Sequence, residues 1–401
     1  MRWLWVIEIA SCLLALITTI NVLGNLRAFR RLDTFAPPHA DPPFVSVLVP
    51  ARDEERSIIA CIQSLIDQRY PAFEIIVLDD GSTDATAALV SEFAATHPCL
   101  RLIDGVALPA GWKGKSFACE QLSQHARGDI LLFTDADTVH APTMIASVVG
   151  AFADGAGVVT AFPEQITGSW GETLTIPYLL FTVWAFLPVG RVWTDPSPRI
   201  VAANGQLLAF TRDVYATIGG HAAVRDSVLD DMSLAQRAKT LGLRLRLVDG
   251  AGSVRTRMYR DVGEVWQGFS KNAFALMGHS MIGAVAISAV MILLYVVPLF
   301  VLEVTLWRDP GNRLAFPAVF LILAMLVQRC LVNYRIRQPL WTAVLHPISV
   351  VLSILILLNA IRWYRRGRVV WKGRIYATAH RADAVPDEKR AQCRRRRASR
   401  R

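Results

Sequence analysis

The sequence predicts an α/β fold, a mostly parallel sheet covered by helices on both faces, joined to transmembrane α-helices. Three observations predict it. Short β-branched runs alternate with helical patterns between residues 45 and 250. Long stretches almost free of charge lie outside that region, towards both ends of the chain. Acidic residues follow three of the β runs, on the edge where open α/β sheets bind ligands.

Residues 3–24 are apolar except for Glu8 and are long enough to span a bilayer. Arg27, Arg30 and Arg31 come next, so the positive-inside rule places the chain after this helix in the cytosol. The expected setting is the inner (plasma) membrane, crossed several times, with the catalytic domain cytoplasmic. Residues 1–26 are the first span and 27–43 a linker, stiffened by the prolines of "FAPPHADPPF". "VSVLV" (45–49), "EIIVLD" (74–79), "LRLID" (100–104) and "DILLFTD" (129–135) read as buried strands. "GVVTAFP" (157–163) and "LRLRLVD" (243–249) read as two more. Helical patterns lie at about 54–68 and 116–124, and Ser82, Thr83 and Asp84 read as N-cap residues of another. Repeated βαβ units with right-handed crossovers build such a sheet.

"IPYLLFTVWAFLPV" (176–189) is too short to span; it reads equally as a buried core helix or an interfacial one. Apolar segments return after residue 279. Residues 280–302 and 340–361 each suit a span, whereas 314–328, closed by Arg313 and Arg329, is short for one. Two or three C-terminal spans therefore fit 280–361. That leaves 44–279 as one catalytic-sized domain and 362–401 as a basic, largely disordered tail.

The 401-residue chain has a net charge of +10, but the charge is local. The 40 residues from Arg362 onward carry 15 Lys/Arg against 3 Asp/Glu, leaving 28 basic and 30 acidic groups in the rest. Beside an apolar helix such a tail suits anionic lipid headgroups, and nucleic acid is not an expected partner. Cysteines at 12, 61, 99, 119, 330 and 393 form no CxxC pair and are expected as reduced thiols.

Asp53 follows the first strand, Asp79 and Asp80 end the second, and Asp135 and Asp137 end the fourth. Carboxylates two apart on a strand share a face and repel unless a cation lies against them. "GWKGKSFA" (111–118) sets Lys113 and Lys115 at a helix N-terminus, as an anion site or as an exposed basic loop.

With these residues placed, "VSVLVPARDEERSI", "YPAFEIIVLDDGSTDAT" and "GDILLFTDADT" resemble three successive signatures of family 2 glycosyltransferases, whose Rossmann-like fold is called GT-A. The resemblance covers about residues 44–275. It implies a nucleotide-sugar donor, a UDP-sugar, with Asp53 at the base or ribose and Asp80 in the uracil–ribose region. Asp135 and Asp137 would be the DxD pair, Asp137 reaching the metal, and Lys113 and Lys115 would meet the diphosphate. A departing nucleoside diphosphate builds up negative charge, which a hard divalent cation, Mg2+ or Mn2+, neutralises. In "SVLDDMSLAQRAKTLGLRL" Asp231 matches the family's catalytic base and Asp230 its acidic neighbour; both also suit a helix N-terminus. Here "DD" stands where "ED" is common. "NGQLLAFTRDVYATIGG" resembles the acceptor-side strand and helix, with Asn204 and Gly205 near the transferred sugar.

The Q-x-x-R-W of processive polysaccharide synthases is absent. Instead "RMY" and "EVWQGFSKN" (within 257–272), with "WKGRIY" (371–376), resemble membrane transferases that glycosylate isoprenoid or other lipid acceptors, the carotenoid type in particular. Arg257 and Lys271 would then help hold the diphosphate and Trp266 would cap the acceptor site. The same segment reads as an amphipathic helix at the membrane surface, and the two readings are compatible. The resemblance thus implies inverting transfer of a sugar to a membrane lipid such as a carotenoid or hopanoid. A polyprenyl-phosphate sugar synthase and a processive polysaccharide synthase are the alternatives; a non-enzymatic membrane-binding module is the different class.

Overall fold

The computed structural model describes residues 2–36, 41–308, 311–366, 369–371 and 374–376. The centre of the proline linker and nearly all of the basic tail lie outside the described residues. Helix α1 (Arg2–Ala28) leads in. After it come β1 (Val45–Ala51), α2 (Ile58–Ile66), β2 (Phe73–Asp79), α3 (Thr86–Thr96), β3 (Leu100–Asp104), α4 (Gly114–His125), β4 (Ile130–Phe133), β5 (Thr138–His140) and α5 (Met144–Ala151). Next are β6 (Val158–Gln165), α6 (Trp170–Phe186), α7 (Val189–Thr194), β7 (Leu208–Thr211), α8 (Arg212–Thr217), α9 (Asp230–Thr240), β8 (Leu245–Thr256) and α10 (Val262–Leu276). Helices α11 (Met281–Tyr295), α12 (Val297–Arg308), α13 (Ala315–Arg335) and α14 (His346–Arg365) precede a short hairpin of β9 (Val369–Trp371) and β10 (Arg374–Tyr376).

The eight-stranded sheet has the order β3-β2-β1-β4-β7-β6-β8-β5. Strands β1 to β4 pair in parallel, as do β6 and β8. Strand β7 runs against β4 and β6, and β5 against β8. Six strands therefore share one direction, and β5 and β7 oppose it. Val45, Val47, Leu48, Val49, Ile75, Ile76 and Val77 are fully buried, as strands covered on both faces must be. Between α4 and β4 only glycine fits at 128, where a Cβ would lie 2.4 Å from the Ser46 nitrogen.

The switch point lies at β1, with β2 on one side and β4 on the other. The ends of β1, β2 and β4 meet there, so the acids beyond them share one edge. The loops are stitched by those acids. The Thr83 N–H donates to Asp53 Oδ1 (2.7 Å) and the Ser82 N–H to Asp79 Oδ2 (3.1 Å), while the Asp53 N–H donates to Ser82 Oγ (3.0 Å). This corrects the reading of Ser82 and Thr83 as N-caps, since they serve the neighbouring loop; Asp84 keeps the role in part, its Oδ1 accepting the N–H of Thr86, where α3 begins (3.0 Å).

Four helical segments are long and apolar enough to cross a membrane: 5–28, 281–308, 315–335 and 346–365. The second is broken at Val296 (φ −113°, ψ −50°), two residues before Pro298. The third runs past Arg329, where the sequence suggested a stop. Arg329 is wholly buried and its Nη1 donates to the Pro177 carbonyl of α6 (2.6 Å), so the charge faces protein rather than ending the helix.

Polar residues join the apolar helices to the sheet domain. Asn25 Nδ2 donates to the carbonyls of Trp184 (2.9 Å) and Leu187 (2.7 Å) at the end of α6, and Asn21 Nδ2 to that of Ala185 (3.1 Å). Gln328 Nε2 donates to Thr19 Oγ1 (2.7 Å), linking α13 to α1. Asp249 in β8 gathers the ends of two helices: its N–H donates to the Arg30 carbonyl just past α1 (2.9 Å), and its carboxylate pairs with Arg335 at the end of α13. Helix α14 lies beside α10, with Asn359 Nδ2 donating to Ser270 Oγ (2.9 Å) and Tyr364 edge-on to Phe274.

Candidate active site

Asp135 and Asp137 stand between β4 and β5. Their backbone is fixed from three sides. Thr138 Oγ1 donates to the Asp135 carbonyl (2.6 Å), Thr256 Oγ1 to the Asp137 carbonyl (3.2 Å), and Thr134 Oγ1 to the Gln206 carbonyl (2.8 Å). Lys115, in the first turn of α4, reaches across so that its Nζ lies 2.5 Å from Asp135 Oδ1. Packing of protein atoms around this ammonium opposes its charge, but Asp135 and Asp230 outweigh that and hold its pKa above the ordinary lysine value.

Asp230 and Asp231 open α9. The Gly205 N–H donates to Asp231 Oδ2 (2.9 Å), and the Met232 N–H to Asp231 Oδ1 (2.7 Å). Gly205 is held in a tight turn in which the Gln206 N–H donates to Asn204 Oδ1 (2.8 Å). A Cβ at 205 would stand 3.0 Å from Lys115 Nζ and 3.7 Å from Asp231 Oδ2, so the glycine occupies the gap between lysine and acid. Burial, and next the charge of Asp230, push the Asp231 carboxyl up to about 6; Lys115 pulls the other way. A carboxylate titrating there is suited to taking a proton near neutral pH.

Lys271 on α10 completes the cluster. Burial, then the neighbouring Lys115, depress its pKa to about 8 against the pull of Asp230, Asp135 and Asp231. Lys115, Asp135, Gly205, Asp230, Asp231 and Lys271 thus converge at one edge of the sheet, with Asp53 and Asp80 at the adjoining strand ends. Lys113 precedes α4 with its N–H donated to the Arg225 carbonyl (2.7 Å), and burial lowers its side-chain pKa. Asn204 serves through its turn, and Trp266 is half-buried on α10. Arg257 is committed elsewhere. Its Nε and Nη2 meet Glu172 Oε1 (3.0 Å) and Oε2 (3.1 Å), and Glu172 with Ser169 forms the capping box of α6.

The motifs in the sequence do not mark His221. Gly219 and Gly220, both at positive φ, turn the chain so that this buried imidazole points at Asp230, with Nε2 3.9 Å from Oδ2. Tyr215 Oη accepts the His221 backbone N–H (3.1 Å) and shares a second hydrogen bond with Nδ1 (2.7 Å), which fixes the ring in place. Burial lowers its pKa to about 4, so it is neutral beside Asp230. The available signal was a histidine after a Gly-Gly turn, shortly before two aspartates.

Among the described residues no group of three His, Cys, Asp or Glu is placed to hold a metal by itself. The acids present still fit a hard cation that takes its remaining oxygens from a ligand, because Asp135 and Asp137 offer carboxylates alone.

Residues 46–198 match the model of Glycosyl transferase family 2. The chain is 29% identical over 221 residues to 4,4'-diaponeurosporenoate glycosyltransferase of Staphylococcus aureus strain MRSA252, covering 54% of this chain and 57% of that relative. It thus spans little more than half the length of the curated relatives it matches. The mannosyltransferase PcManGT from Pyrobaculum calidifontis, solved in complex with GDP-Man and Mn2+, superposes with a TM-score of 0.52 at 20% identity, over 88% of this chain and 98% of that one. That likeness gives the fold, GT-A.

Proposed function

We propose, from the premise that this chain carries a family 2 glycosyltransferase domain, that it moves one sugar from a nucleotide-sugar, UDP-linked, to the hydroxyl or carboxylate of a membrane lipid such as a carotenoid or hopanoid. The observation that carries this reading is the cluster of Lys115, Asp135, Gly205, Asp231 and Lys271 in one cleft, with a carboxyl at about 6 in its centre. With a hydroxyl acceptor Asp231 takes its proton as the oxygen attacks the anomeric carbon, whereas a carboxylate attacks already ionised; in both the bond to the diphosphate breaks on the opposite face, which inverts the centre. Burial, with the charge of Asp230, keeps the Asp231 pKa raised. Lys115 and Lys271 receive the negative charge of the departing diphosphate. Asp135 and Asp137 would hold Mg2+ or Mn2+, which when bound supplies charge neutralisation to that leaving group.

The relative named for a carotenoid acid supports a lipid acceptor, and the four apolar helices support a multi-pass setting. Arg27 in the last turn of α1, with Arg30 and Arg31 just past it, supports a cytoplasmic catalytic domain at the inner (plasma) membrane. The test gives membranes containing the protein a panel of radiolabelled nucleotide-sugars. Label is expected in the lipid extract, dependent on Mg2+ or Mn2+, and lost at least about a hundredfold in Asp137→Asn. Label in high polymer would establish a processive synthase instead. Label released by mild acid as free sugar from a lipid phosphate would establish a polyprenyl-phosphate synthase. No label with any donor would leave the membrane-binding module.

A further inference from the structure

A second polar cluster lies between α6, α11, α13 and α14. Arg329 is six residues before Arg335, whose partner Asp249 marks the base of the sheet domain. At 1.5 Å per residue Arg329 is about 9 Å beyond that point along α13. It and His346 are both 0% exposed. One guanidinium nitrogen is used on Pro177, and the group lies 5.6 Å from the Phe181 ring centroid. Its Nε and Nη2 have no hydrogen-bond partner among the described residues. His346 packs against the rings of Phe181 (4.6 Å), Tyr295 (4.7 Å) and Tyr178 (5.6 Å), and neither of its ring nitrogens has a partner among the described residues. Two side chains thus present four buried polar atoms unanswered in one place.

Buried polar groups are nearly always bonded, and an uncompensated buried cation is strongly unfavourable. The remaining guanidinium fork matches two oxygens of a phosphate or carboxylate, and the imidazole adds another donor. Access is at hand. Tyr295 is the last residue of α11, and the chain breaks at Val296 before α12. Ile292, Leu293, Leu299 and Phe300 around that break are exposed apolar side chains, as hydrocarbon tails require.

We propose that Arg329 and His346 bind the anionic group, phosphate or carboxylate, of a lipid whose tail lies along the break between α11 and α12. The site is separate from the donor-binding acids, and its test reads stability and retained lipid rather than sugar transfer, so it stands or falls apart from the proposed reaction.

The full chain is purified in uncharged dodecyl maltoside micelles and melted alone, with phosphatidylglycerol, with oleate, or with inorganic phosphate. Native mass spectrometry counts retained lipid. The wild type is expected to gain thermal stability from one or both lipids and to keep one molecule bound. Phosphatidylglycerol alone identifies a phosphate headgroup, oleate alone a carboxylate. Arg329→Met should weaken that binding about tenfold or more, and Arg329→Lys should retain part of it. Should Arg329→Met not fold, His346→Leu carries the comparison, with weaker retention expected. The basic tail is common to every variant, so the difference between them isolates the cluster. An equal gain in wild type, Arg329→Met and His346→Leu, or no gain from either lipid, overturns the site. A gain from inorganic phosphate as large as from the lipids overturns the lipid assignment.

Discussion

The acidic rim of the sheet and the pocket around Arg329 both place charge inside protein, and they manage it in opposite ways. On the rim the central charges meet groups of the protein: Lys115 touches Asp135, Asp231 takes the Gly205 and Met232 N–H groups, and Lys271 sits in the field of three aspartates. Around Arg329 the described residues offer one carbonyl and aromatic rings. The rim can exchange partners with an arriving diphosphate at little reorganisation, which is the arrangement catalysis favours. The cluster below needs a group from outside to be satisfied at all. A balanced set of charges thus points to turnover, and an unbalanced one to a resident ligand.

The largest effect expected from breaking the balanced side is on the base. Asp231→Asn should lower kcat by about 10³-fold or more while leaving donor KM near its wild-type value, since a general base contributes about 10²–10⁴ and the amide keeps the shape. Steady-state transfer assays decide it; a loss confined to KM would move the base elsewhere. Next comes the ion pair behind the rim. Glu172 is wholly buried and holds the partly exposed Arg257 while capping α6, so Glu172→Ala should cost about 1–2 kcal/mol of stability. Thermal unfolding would reveal this, and an unchanged Tm would show that Arg257 is not committed to Glu172. The smallest effect sharpens the comparison through pH. Asp231 must be deprotonated to act, and its pKa is raised to about 6; Lys271 must be protonated to meet the diphosphate, and its pKa is lowered to about 8. The kcat/KM profile should therefore be bell-shaped, falling about tenfold per unit below 6 and declining above 8. Lys271→Met should flatten the alkaline limb alone.

The half of the sheet that was legible in the sequence is the half where strand and site coincide. Each of β1, β2 and β4 is an apolar run with an acid at or just beyond its end, so the same residues announce both the fold and the edge. Strand β5 is three residues, Thr138–His140, and exists because β8 pairs with it; no local pattern marks it. Helix α13 was cut short at Arg329 because a charge in an apolar run signals an end only if it faces lipid or water, and here Pro177 receives it. Ser82, Thr83 and Asp84 all have cap chemistry, yet only Asp84 meets an N–H of α3; Ser82 and Thr83 are turned to Asp79 and Asp53 across the loop. Asp231, Asp135 and Lys115 were read from motifs; His221 was not, because its partners Tyr215 and Asp230 are six and nine residues away and meet it only through the turn at Gly219–Gly220.

Strand β8 joins two points that otherwise have nothing in common. At Asp249 it fastens the ends of α1 and α13; at Thr256, seven residues on, it supports the backbone of Asp137. At about 3.3 Å per residue, this is a ruler of at most about 23 Å. The cleft cannot sink to meet a reluctant acceptor. If the acceptor is the membrane lipid proposed above, it must offer its reactive end at the fixed stand-off the strand dictates, so molecular length and stiffness would become part of substrate choice.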